Sequence, residues 1–64
     1  MQPIIVDGFK AWPCPSGSIL LQDMQANKFK TFQTALNAVL YLYLHKHDRA
    51  GTQLDMKLKE AGYA

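Results

Sequence analysis

The sequence predicts an α+β domain, and three observations predict it. The N-terminal half is rich in β-branched and aromatic residues broken by turn signals, the middle carries one long helical period, and the C-terminal segment repeats that period briefly behind a threonine. Together they describe a small antiparallel sheet of two to three strands packed against one long helix, with a short C-terminal helix added.

The elements follow in order. "PIIVDGFKAW" and "GSILLQDM" read as strands. Asp7-Gly8 either closes a tight hairpin or forms a bulge in one longer strand, and both devices place Ile4, Val6, Phe9 and Ala11 on a common face. "PCPSG" reads as a loop, because Pro13 and Pro15 lack ladder donors and Gly17 permits a turn. "QANK" turns the chain into a short third strand around Lys28 to Lys30, with Phe29 pointing inward.

"LYLYLHKH", residues 40 to 47, is the ambiguous stretch. As a strand it would put Tyr41, Tyr43, His45 and His47 on one face, a possible metal site; as a helix it sets His45 and His47 about 200° apart. Helix is favoured at both ends. Thr31 can cap the start, while basic residues and Gly51 suit the last turn and the position after it. A helix over 32–49 gathers Leu36, Val39, Leu40, Tyr43 and Leu44 on a core-facing arc, with Phe32, Ala35 and Leu42 at its edge. Thr34, Asn37, Ala38, Tyr41, His45 and Asp48 fall on the outward arc. His47 lies on the apolar arc and is expected to pack at the helix end. Behind Gly51, Thr52 reads as the N-cap of the short helix, Leu54, Leu58 and Ala61 as its apolar side, Asp55 and Lys59 as an i, i+4 pair, and Gly62 as its terminator.

Residues 1–64 form one domain in this reading. A chain of 64 residues buries only about 60% of the surface its unfolded form exposes, so low stability and no deep cleft are expected. A hydrophobic share of 48% against 19% charged residues is a globular balance rather than a disordered one. One cysteine, Cys14, cannot form an internal disulfide, and "MQPIIVDGFK" lacks the basic and apolar regions of a signal peptide. A cytoplasmic protein is expected. The apolar run "AVLYLYL" falls far short of the roughly 20 residues that span a bilayer, so no membrane is expected as partner.

Chemistry-bearing residues are few and scattered. Cys14 with a histidine would still need an orienting group and an oxyanion site, and no signature surrounds it, so no catalytic residues are assigned. Cys14, His45, His47 and Asp48 lack zinc-ligand spacing, and no metal is assigned. The four glycines, Gly8, Gly17, Gly51 and Gly62, stand alone, without a phosphate-cradling loop. No cofactor and no small-molecule substrate are expected. Trp12 reads as an indole closing one end of the core, with an exposed contact residue as the other reading.

What remains is a surface. Thr34, Asn37, Tyr41, His45 and Asp48 form the candidate partner-binding face, because a helix that places tyrosine on its solvent arc offers a contact stripe. The expectation is a non-enzymatic protein-interaction module that docks on a larger partner or on a second copy of itself. Small size and the lack of catalytic equipment suit an inhibitor or modulator that a phage or mobile element directs at a bacterial host machine, for example its anti-phage defences. The alternative is a small nucleic-acid-binding transcriptional regulator that holds phosphates with Lys28, Lys30, Lys46 and Arg49. The net charge of +2 permits that partner without requiring it.

Overall fold

A computed structural model of the chain describes residues 2–63. Four strands, β1 (Ile4–Val6), β2 (Phe9–Pro13), β3 (Ile19–Asp23) and β4 (Lys28–Phe32), are followed by two helices, α1 (Ala35–Leu44) and α2 (Asp48–Glu60). The strands form an antiparallel meander in the order β1-β2-β3-β4. The α+β class is as expected, but the sheet has four strands, and the two helices part before Asp48 rather than at Gly51, which makes the C-terminal helix the longer one.

The two-residue Asp7-Gly8 connection is a hairpin, with Val6 paired to Phe9 and Gly8 at φ +82°. Register then assigns the faces. Ile4 pairs with Ala11, Ala11 with Leu21, Pro13 with Ile19, and Ile19 with Phe32, so these residues line the helix-facing side together with Val6 and Phe9. Pro13 belongs to β2 rather than to the loop, which its terminal position in the strand allows. The β3–β4 turn is held by the Asp23 carboxylate, which accepts from the backbone N–H of Gln25 at 3.0 Å and of Ala26 at 3.2 Å, with Asn27 in the left-handed region.

β4 runs two residues beyond Lys30, which delays the start of the first helix. Thr31 and Phe32 pair with Leu20 and Ile19, so neither starts the helix. Alternation with Phe32 inward puts Lys28 and Lys30 on the helix side and Phe29 on the other, where it is 58% exposed, contrary to expectation. The cap of α1 is Thr34, whose Oγ1 accepts from the Asn37 N–H at 3.2 Å.

The helical reading of residues 40 to 44 holds, but the helix does not continue to residue 49. Lys46 takes φ +63°, its N–H donates to the Tyr43 carbonyl at 3.1 Å, and the His47 N–H donates to the Leu42 carbonyl at 2.8 Å. This pair of bonds is a Schellman ending. The reason for the break is tertiary. A straight helix over 32–49 would be about 27 Å long, while the five-residue strands beneath it span only about 17 Å. Its far third would have no sheet to cover. Folding back as α2 instead lets Ala50, Leu54 and Leu58 join Val6, Phe9, Ile19, Leu21 and Leu42 in one core.

Gly51 and Thr52, expected to end one helix and cap the next, both lie inside α2. Gly51 is buried, and the Tyr43 ring stands 3.3 Å from where a Cβ would be. Thr52 shares a 2.9 Å hydrogen bond with the Tyr43 hydroxyl. Leu54 and Leu58 are buried as expected, Ala61 is not. Asp55 and Lys59 pair at 3.1 Å, and Gly62 ends the helix with a second Schellman pair, through its own N–H and that of Tyr63. α2 also clasps the edge strand: Lys57 Nζ donates to the Ile5 carbonyl at 3.2 Å, and the Asp7 N–H donates to Gln53 Oε1 at 3.0 Å.

Candidate functional site

The face that α1 turns to the sheet is not the predicted one. Ala38, Val39 and Leu42 are buried, whereas Leu36, Leu40 and Leu44 are 64%, 46% and 81% exposed. The helix is thus rotated by about a third of a turn from the expected orientation. Its composition explains why the pattern misled: Asn37 is the one non-hydrophobic residue between Ala35 and Leu44, so periodicity had little contrast from which to choose a face. Packing chose instead. Ala38, Val39 and Leu42 are buried in the shared core with Ala35 partly buried beside them, and the bulky leucines are left on the far side.

Leu36, Leu40 and Leu44 stand at i, i+4 and i+8, one continuous ridge along a helix that carries no charged residue. The neighbouring row, one residue further at each step, is Asn37, Tyr41 and His45, three members of the predicted partner-binding face. Thr34, the fourth, is the N-cap, and Asp48, the fifth, opens α2 beyond the reversal, so it does not continue the row.

The two tyrosines differ from their assignments. Tyr41, placed in solvent by the sequence, is half-buried: its ring lies 5.1 Å from Phe32 and 4.3 Å from His45, with Lys30 Nζ 5.1 Å above it. Tyr43, assigned to the core, is 39% exposed and lies along α2 over Gly51. The rotation of α1 accounts for both.

The remaining candidates separate. His45 caps α1 and His47 precedes α2, where its ring meets Phe9 edge-on at 4.9 Å. Among the described residues, no three His, Cys, Asp or Glu gather as a metal-binding group. Cys14 Sγ lies 3.8 Å from the Trp12 carbonyl, within the β2–β3 loop. Lys28 and Lys30 sit on the helix side of β4, Lys46 and Arg49 at the reversal between helices, so the four cations belong to two separate places on the chain.

Two further surfaces are open, one beside the ridge and one remote from it. A groove of ≈ 540 Å³ opens between the first turns of α1 and the end of α2, lined by Leu36, Val39, Leu58 and Tyr63, with Asp55 and Lys59 among its other walls. On the opposite side of the domain, the sheet face away from the helices carries Ile5, Lys10, Trp12, Leu20, Gln22 and Phe29. Trp12 is half-buried there, 6.3 Å from the Phe29 ring, and does not close the core.

The leucine ridge escaped sequence reasoning because leucine at helical spacing is ordinarily core. One signal could have found it: a helix apolar on every side, in a chain too small to surround it, must present one of those sides outward. Among the described residues no helix is long and apolar enough to cross a membrane. No protein-family model, no curated protein and no solved structure matches the chain.

Proposed function

We propose that this chain is a non-enzymatic protein-interaction module whose working surface is the outward face of α1. The observation that carries this reading is the ridge itself, with Leu44 81% exposed on a helix without a single charge. Burying a leucine is worth about 1.5–3 kcal/mol, so three in a row on a stiff helix are a strong incentive to find a partner. Asn37, Tyr41 and His45 alongside offer hydrogen bonds and aromatic edges that would give such a contact register and specificity. An inhibitor or modulator of a bacterial host machine, made by a phage or mobile element and acting in the cytoplasm, is the finer form of the proposal, and it rests on small size.

The test compares the wild type with Leu40→Lys, which changes the centre of the ridge and leaves the core untouched. Affinity capture from a bacterial lysate, with and without nuclease, and sedimentation of the purified protein are read together. Loss of a protein contact or of self-association in Leu40→Lys is expected. If neither measurement responds to the substitution, the reading fails.

The nucleic-acid alternative is favoured by one observation, the open sheet face that sets Trp12 and Phe29 beside Lys10 without a carboxylate among its strand positions. Exposed rings on a sheet can stack unpaired bases. Trp12 is the chain's single tryptophan, so its fluorescence reports directly on that face. Quenching by a single-stranded oligonucleotide at about 0.15 M salt, lost in Phe29→Ala, would promote this reading.

A further inference from the structure

The partner that the α1 surface fits is chosen by its two ends. Leu44 projects from the C-terminal end of the helix, and the groove beside Leu36 opens at the N-terminal end. Eight residues, about 12 Å along the axis, separate the projection from the recess. We propose that a second copy of this chain is the occupant: α1 packs antiparallel on α1 of its partner, and each Leu44 seats against the partner's Leu36 at the mouth of the groove. This rests on the protein-interaction reading above and names the partner within it.

A two-fold axis near Leu40 satisfies both ends in one operation, since the same patch meets itself and each projection finds a recess. A parallel pairing would set Leu44 against Leu44 and leave both grooves empty. The i±4 ridge also has a preferred way to pack on its like. Two such ridges interleave at a crossing angle of about −50°, which swings the Leu44 end of one helix alongside Leu36 of the other.

Electrostatics points the same way. Antiparallel helices bring the positive N-terminal end of each α1 beside the negative C-terminal end of the other, and no charged side chain within α1 opposes the contact. The groove wall itself is close to neutral, since its Asp55 is already paired with Lys59 at 3.1 Å. A standard interface removes about 800 Å² from each partner, nearly a fifth of the 4383 Å² this chain exposes. A contact built on a single ten-residue helix belongs at the small end of such interfaces. Dissociation constants in the micromolar range are expected, rather than nanomolar ones.

Sedimentation velocity from about 5 to 200 µM protein, a range that brackets such a constant, tests the proposal. The wild type should move from monomer toward dimer. Leu36→Glu and Leu44→Lys should each raise the dissociation constant by about tenfold or more. The double variant Leu36→Glu/Leu44→Lys should recover most of the lost association, because the antiparallel arrangement places the introduced acid of one protomer against the introduced base of the other. Far-UV circular dichroism at the lowest concentration checks that the variants fold, and Leu44→Ser replaces any that does not. A wild type that stays monomeric throughout overturns the inference, as does a double variant no better than the singles. If the protein is monomeric but still captures another protein through the Leu40-dependent surface, the second copy is not the occupant and the interaction reading survives. If both association and capture are absent, both fall.

Discussion

Replacing Lys46 by glycine should stabilise this protein, although it deletes a charged side chain at a helix end where positive charge is normally favourable. Lys46 occupies the left-handed region at φ +63°, and both hydrogen bonds that define the ending, to Tyr43 and Leu42, are in place at 3.1 and 2.8 Å. The backbone therefore needs no change to accept glycine. An L-residue with a Cβ is disfavoured by about 1–2 kcal/mol in this conformation, and glycine gives back about 0.5–1 kcal/mol through its freer unfolded chain. The net gain is about 0.5–1 kcal/mol, which in a domain this small raises the melting temperature by about 4 °C.

Thermal and urea melts at a concentration where the monomer dominates measure it, with the urea slope expected to stay constant. Lys46→Ala removes the charge but keeps the Cβ and should be close to neutral, so it isolates the backbone term. Gly62 gives the mirror experiment. It closes α2 with the same pair of bonds at φ +84° and with open space around it, so Gly62→Ala should lose about 1 kcal/mol, less whatever the last turn frays. A Lys46→Gly protein no more stable than Lys46→Ala would refute the reasoning.

The rotation of α1 predicts opposite behaviour for two leucines two residues apart. Leu42→Ala should cost about 3 kcal/mol by opening a cavity in the core, whereas Leu44→Ser, measured on dilute protein, should stay within about 0.5 kcal/mol; equal losses in denaturant melts would mean the helix faces the other way. Gly51→Val should cost about 1–3 kcal/mol by overpacking against the Tyr43 ring, since a Cβ there already meets that ring at 3.3 Å. A Gly51→Val protein as stable as the wild type would show that the two helices do not cross there.

Much of the fold is legible in short-range signals. Asp7-Gly8 marks a hairpin or a bulge because glycine tolerates a positive φ, and with either device alternation fixes Ile4, Val6, Phe9 and Ala11 to one face; the pairing of Val6 with Phe9 made it a hairpin. Gly62 ends the last helix for the same conformational reason, and Leu54 and Leu58 read as core because polar residues surround them and give the period contrast. Where contrast vanished, so did the reading: α1 offers one asparagine among nine hydrophobic residues, and the face it buries could not be inferred from period alone. Of the predicted contact face, Asn37, Tyr41 and His45 lie on one row, while Asp48 was separated from them by a helix break that no proline or glycine announces.

By itself, then, the sequence determined the α+β class, the order of strands before helices, and the close of the last helix at Gly62. Each depends on residues within a few positions of one another, where backbone freedom and side-chain alternation act directly. Only the tertiary structure decided where the long apolar segment breaks and which leucines are left outside. Those outcomes depend on the length of the strands to be covered and on which side chains the shared core admits, quantities set by the whole packed domain. The break at Lys46 folds α2 back over the sheet, and burying Ala38, Val39 and Leu42 in the shared core turns Leu36, Leu40 and Leu44 to the surface.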